Sequence, residues 1–358
     1  MFLSLVDKRI HFAGINLARA WVIMCLLLTS LGQFGCVRVE TVDKVAEARL
    51  PADPGCGRPD CVSEMAMRKQ KGTIPSAAPQ GLPVPAFSLQ AGTVAFGTKI
   101  KLSVSMLPVG AVIEYSYDNG KTWIPGDQAA VLGTDPILAR TRINDLTSNP
   151  SQATFTPYYQ RMMVIGNSIM SHAPQPSTGW FNNNGMAASA PEKDFVHLLT
   201  AHLVQQHPQL TVRLVSSGNF ERQFGQSYYS IDEFNEPLRQ FKPDLIIVRL
   251  GENVEESEVL SRNFDTQFRL LLERLATYGG QPARLICTTS FWRRPKADVV
   301  IRRVAAEKNL SLVDLSGMVG QDQYLSYNQY RDAGVGAHPN DTGMRRIADL
   351  IREKLPLP

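Results

Sequence analysis

Residues 162–168, Met162-Met163-Val164-Ile165-Gly166-Asn167-Ser168, set the fold class. The apolar run reads as a strand that ends at Gly166, with a short polar string at its carboxyl end. Strand patterns recur downstream at Thr211 to Ser216, Asp244 to Leu250, Arg284 to Thr289 and Ser311 to Leu315. Between them lie helical patterns. Phe195, Leu198, Leu199, His202 and Leu203 stand at helical spacing and predict a helix over 194–206. Further helices are expected over 263–278, 296–308 and 343–354, the last capped by Asn340-Asp341-Thr342. Strands alternating with helices predict a parallel sheet covered on both faces. In such sheets a ligand site lies at the carboxyl ends of the strands.

Those ends carry a coherent set of residues. The first strand ends in Gly166-Asn167-Ser168, the second in Ser217-Gly218-Asn219 and the third in Gly251-Glu252-Asn253; Gly336-Ala337-His338-Pro339 stands just ahead of the last helix. Acyl transfer needs such a kit. A serine is a weak nucleophile until a base takes its proton, and histidine, with an ordinary pKa of about 6.5, suits that task. The tetrahedral intermediate places negative charge on the former carbonyl oxygen, which preorganised N–H donors stabilise by roughly 3 to 4 kcal/mol each. The backbone amides of Ser168 and Gly218 and the carboxamide of Asn253 are the candidate donors.

The order Ser168, Gly218, Asn253, His338 resembles the four blocks of the SGNH (GDSL-like) hydrolase superfamily, over about Arg161 to Pro358. Trp180 to Asp194, with Gly185-Met186-Ala187-Ala188-Ser189-Ala190, is similar to secreted bacterial members. The resemblance implies an SGNH-hydrolase-like, flavodoxin-like α/β/α three-layer sheet and a serine ester hydrolase that needs no cofactor or metal. It also implies catalytic Ser168 and His338 and an oxyanion hole of Ser168, Gly218 and Asn253. The sequence departs from the family at one place, because the aspartate usual three residues before the histidine is Val335. Three alternatives follow: a Ser–His dyad steadied by a backbone carbonyl, support from Asp332 or another carboxylate, or a degraded site. Asn167, Asn219, Arg249 and Glu252 flank the blocks and are candidate substrate contacts, with a structural ion pair as the competing reading of Arg249 and Glu252.

Other motifs weigh less. Met170 stands where Gly-x-Ser-x-Gly would close, which disfavours an α/β-hydrolase elbow. Gly334-Val335-Gly336 does not follow the opening strand and is not a dinucleotide fingerprint. His172, His197, His202 and His207 read as loop or helix-surface residues, and Cys287 as core.

Residues 87–158 change register to short alternating segments, among them Lys99 to Val104, Val112 to Tyr117, Ile137 to Ile143 and Ala153 to Pro157. Asn119-Gly120 between Tyr117 and Thr122-Trp123 is a type I′ hairpin signal. We expect a small β-sandwich here. It resembles the immunoglobulin-like modules of chitobiase C-terminal type found on glycan-degrading enzymes, with Tyr115 and Trp123 read as packing residues before carbohydrate contacts. Residues 37–86 are rich in proline toward their end and read as a tether. In residues 1–36, Lys8, Arg9 and Arg19 precede the apolar run Ala20 to Leu31 and then Gly35-Cys36. That order describes an export signal ending in a lipobox-like Cys36, with an ordinarily cleaved signal and an uncleaved anchor as alternatives. Cys56 and Cys61 form either a small disulfide or two loop thiols.

The 358 residues are 44% hydrophobic and 20% charged, which excludes a disordered or collagenous chain and leaves ample material for a core. The net charge of +4 is spread out, so no nucleic-acid partner is expected. The expectation is an exported hydrolase, membrane-anchored in the periplasm or at the cell surface, or else secreted, that removes acetyl or other short acyl groups from carbohydrate. The alternatives are a lipase, arylesterase or thioesterase of the same superfamily, and a degraded glycan-binding surface lipoprotein.

Overall fold

Met162 to Ile165 are fully buried, and they divide by alternation between two apolar clusters on opposite faces of one sheet. The structure, a computed structural model, describes residues 81–356; the expectations for the export signal, Cys36, and the Cys56 and Cys61 pair lie outside them. In chain order its strands are β1 (Ala86–Phe87), β2 (Ala91–Ala95), β3 (Lys99–Ser103), β4 (Val112–Ser116), β5 (Ile124–Pro125), β6 (Gln128–Ala130) and β7 (Ile137–Ile143). Then come β8 (Leu146–Thr147), β9 (Ser151–Tyr158), β10 (Arg161–Gly166), β11 (Thr211–Ser216), β12 (Leu245–Arg249), β13 (Arg284–Thr288) and β14 (Ser311–Val313).

The last five strands form one parallel sheet in the order β11-β10-β12-β13-β14. Numbered within the sheet this is 2-1-3-4-5, the flavodoxin-like order, whose switch point lies beside the first strand. Met162 and Val164 face the helices Phe195–Leu203 and Asp341–Arg352. Met163 and Ile165 face Phe264–Thr277 and Pro295–Glu307. Each buried Leu, Ile or Phe in these layers contributes about 1.5 to 3 kcal/mol by leaving water.

Helix starts and stops follow local chemistry. The Asp194 side chain caps the first helix by accepting from His197 N at 2.8 Å. That helix ends at Leu203 rather than Gln206, and residues 204–206 turn ahead of His207-Pro208. Asn340 caps the last helix by accepting from Gly343 N at 2.9 Å, and Met344, Ile347, Ala348 and Ile351 give it one apolar face. Ser217-Gly218-Asn219 is not only a loop, because Gly218–Gln223 forms a short helix.

Residues 86–158 form two sheets, β1-β3-β6 and β2-β9-β7-β4-β5 with β8 on β7. Phe87, Ile100 and Leu102 of the first share an apolar cluster with Ile113, Ala139 and Phe155 of the second. The β4–β5 hairpin differs from the sequence expectation: Tyr115 pairs with Ile124, and 117–123 is a longer turn. Asn119 and Gly120 have φ of 57° and 82°, the left-handed values their turn requires. The Asp118 carboxylate closes it by accepting from Thr122 N and Oγ1, which removes Thr122 from the ladder. Trp123 lies under the Arg140 guanidinium, 4.0 Å from the ring centre, and Tyr115 packs against the shared cluster.

Candidate active site

Ser168 begins the turn that leaves β10, at the carboxyl edge of the sheet. Gly166 lets that turn pack tightly, because a Cβ there would lie 2.9 Å from Met170 Cβ and 3.1 Å from Arg249 O. His338 sits between the short helix Ala333–Gly336 and the last helix. Its Nε2 is 2.7 Å from Ser168 Oγ, and its Nδ1 is 2.7 Å from Gly334 O. A carbonyl can only accept, so Nδ1 carries the hydrogen and Nε2 presents a lone pair to the serine hydroxyl. Burial pushes the His338 pKa down from 6.5 to about 4, with the Gly334 carbonyl and the Glu252 charge pulling the other way. The imidazole is therefore neutral at ordinary pH, the form a general base needs. The Trp292 indole stands edge-on to it, centroids 5.1 Å apart, and donates from Nε1 to Ala337 O at 2.8 Å.

The candidate oxyanion donors border the same cavity. Asn253 Nδ2 donates to Glu221 Oε2 at 3.1 Å, and its Oδ1 accepts from Arg222 Nη2 at 3.1 Å. A carboxylate only accepts and a guanidinium only donates, so the carboxamide orientation is unambiguous and the second Nδ2 hydrogen stays available. Gly218 N donates to Ser216 Oγ at 3.2 Å, a long bond that a better acceptor can replace.

Behind the cavity lies a buried polar network. Glu221 is fully buried and accepts from Gly251 N at 2.7 Å, Ser217 Oγ at 3.0 Å and Asn167 Nδ2 at 3.1 Å, besides the backbone and side chain of Asn253. Arg249 pairs with Glu252 at 2.6 Å, both fully buried. Burial works against ionisation of Glu252, but Arg249, the Phe291 N–H and Asn167 outweigh it and hold the carboxyl below its usual value.

Several sequence expectations are corrected here. Asp332 lines the cavity, but its carboxylate caps Val335 N at 2.9 Å and Nδ1 of the histidine bonds to Gly334 O instead. Of the three alternatives for His338, the geometry matches the backbone carbonyl. Arg249 and Glu252 are not substrate contacts, since both are sealed from solvent in their ion pair. Asn167 borders the cavity, yet its carboxamide is committed to Glu221, Glu252 and Arg249. Asn219 donates to Glu233 and takes no part in the cavity wall. The reading of His172 as a plain loop residue also changes. It lines the cavity, and its Nδ1 is 2.6 Å from Ala173 O, which leaves Nε2 able to accept. Sequence reasoning missed Glu221, Arg222 and Trp292 as well; the charged pair follows Gly218 by three and four residues, a signal that becomes readable only once a helix starts there.

The cavity holds about 520 Å³. Its apolar side chains are Met186, Trp292 and Val335, and Ser171, Gln175, Thr178 and Arg222 are among its polar ones.

No family model matches the chain, and no curated protein matches it. Among solved structures it is similar to a psychrotrophic esterase, EstA, from Pseudoalteromonas, at 13% identity over 54% of this chain and 95% of that one, with a TM-score of 0.36. It is also similar to a family two carbohydrate esterase from Clostridium thermocellum solved with cellohexaose, at 11% identity over 73% and 92%, TM-score 0.38. A third is a member of the lipolytic G-D-S-L family from Veillonella parvula, at 15% identity over 55% and 97%, TM-score 0.31.

Proposed function

We propose that this protein is a serine ester hydrolase of the SGNH type that removes acetyl or other short acyl groups from carbohydrate. The observation that carries the reading is the 2.7 Å approach of Ser168 Oγ to His338 Nε2, with Nδ1 held by Gly334 O. In the first half-reaction Nε2 takes the hydroxyl proton as Ser168 Oγ bonds to the ester carbonyl carbon. The oxyanion is held by Ser168 N–H, Gly218 N–H and the open Nδ2 hydrogen of Asn253. Collapse breaks the carbon–alkoxy bond, and the imidazolium returns its proton to the departing alcohol. Water then repeats the sequence on the acyl-enzyme and frees the acid.

The polar wall favours a hydroxylated substrate, whereas a lipase needs an apolar channel for its acyl chain. The substrate proposal rests on that lining. We further propose the division into an export and lipid-anchor segment (1–36, through Cys36), a tether (37–86), an immunoglobulin-like module (87–158) and the hydrolase domain (159–358). Release of acetate across acetylated xylan, pectin, mannan and simple acyl esters tests the function. Acetate release that vanishes in Ser168→Ala supports it, and unchanged release in that variant overturns it.

A further inference from the structure

The mechanism above uses the Gly218 amide and the Asn253 carboxamide as donors, from two different strand ends. One side chain joins them. Arg222 Nη1 donates to Gly218 O at 3.2 Å and Nη2 donates to Asn253 Oδ1 at 3.1 Å. The guanidinium fork is rigid and planar, so two bonds from one group fix the separation of the residues it spans. Gly218 makes room for it, because a Cβ at 218 would lie 2.8 Å from Arg222 Nη1. Among the described residues Arg222 has no carboxylate within ion-pair distance, although Glu221 precedes it and Arg262, which donates to Arg222 O, is paired with Glu258.

We propose that Arg222 is a positioning residue that builds the oxyanion hole by clamping Gly218 and Asn253 together. It orients the Asn253 carboxamide so that Nδ2 faces the reacting carbonyl, and its charge lies against Gly218 O and Asn253 Oδ1. The inference rests on the reading of Ser168 as the nucleophile. A lysine keeps the charge but is a point donor and does not span both acceptors.

The test is a double-mutant cycle in the full chain with phenyl acetate, a neutral ester. Arg222→Ala should lower kcat about 10- to 100-fold, less than the loss of a whole oxyanion donor because the donors are misplaced rather than removed, with KM changed less than about threefold. Arg222→Lys should fall between the two proteins. Arg222→Ala combined with Asn253→Ala should lose clearly less than the product of the two single losses, because part of the arginine's effect runs through the asparagine. Losses that multiply, a loss confined to KM, or an unchanged kcat overturns the proposal. Ser168→Ala run in parallel keeps the two levels apart: if it retains activity the hydrolase reading fails, and if it is inert while Arg222→Ala is fully active only the clamp fails. Arg222 is exposed, and thermal melting of both variants at the parent midpoint shows that the change is not one of folding.

Discussion

The lowered pKa of His338 should show directly in the pH dependence of the reaction, and Trp292 is the way to perturb it. Burial moves the imidazole from 6.5 to about 4, and at about 1.4 kcal/mol per pH unit that is about 3 kcal/mol between the two protonation states. Nδ1 meets the Gly334 carbonyl rather than a carboxylate, and the upward pull of that carbonyl and of the Glu252 charge does not undo the effect of burial. In the proposed mechanism the neutral imidazole is the base, so the acid limb of kcat/KM, which reports the free protein, should have its midpoint near pH 4. Stability has the same sign. A group depressed in the folded state contributes fully above its unfolded pKa of about 6.5 and loses its contribution as pH falls to about 4. The Trp292 edge supplies part of the burial, so Trp292→Ala should let water reach the ring and raise the midpoint by about one unit. Initial rates on a neutral acyl ester from pH 3.5 to 8 measure both proteins. A wild-type midpoint at or above 6.5, or no rise in Trp292→Ala, refutes the reasoning.

Three further substitutions probe the frame around the site. Asp332→Asn keeps an acceptor for Val335 N and should cost less than about threefold in kcat, whereas His338→Ala should cost about 10²- to 10⁴-fold; equal losses make Asp332 a partner of the histidine after all. Glu221→Gln turns an amide NH₂ toward groups that all donate, and urea melts should show a loss of about 1 to 3 kcal/mol together with a lower kcat; wild-type stability contradicts the network's role. Gly251 has φ of 134° and a Cβ there would lie 2.3 Å from Ser290 Oγ, so Gly251→Ala should destabilise by about 1 to 3 kcal/mol, and a melt superimposable on wild type rejects that strain.

What could be read from the sequence divides along a physical line. Ser168, Gly218, Asn253 and His338 announce themselves because each ends a strand or precedes a helix, and strand ends on one edge of a parallel sheet converge whatever the details of packing. The flavodoxin-like order is what the family resemblance implies; alternation of strands and helices alone gives a parallel sheet covered on both faces. Side-chain direction does not. Arg249 and Glu252 sit in the same local string as Asn253, yet they turn into the buried network while Asn253 turns to the cavity. Asn219 is likewise one residue from Gly218 and bonds outward to Glu233. Glu221 gains its meaning from Gly251 and Asn253, thirty residues away, through a short helix that the sequence pattern does not signal. The absent aspartate at Val335 left the support of His338 open, because a backbone carbonyl that replaces a carboxylate has no sequence signature.

In the proposed mechanism Ser168 is a nucleophile activated by His338. Peptide mapping by mass spectrometry after treatment with a fluorophosphonate probe tests it most directly, because the probe reports an activated serine without any assumption about substrate. One adduct on Ser168, lost in Ser168→Ala and strongly slowed in His338→Ala, is the predicted result. An unlabelled Ser168 in folded protein, or labelling that persists at full rate in His338→Ala, contradicts it.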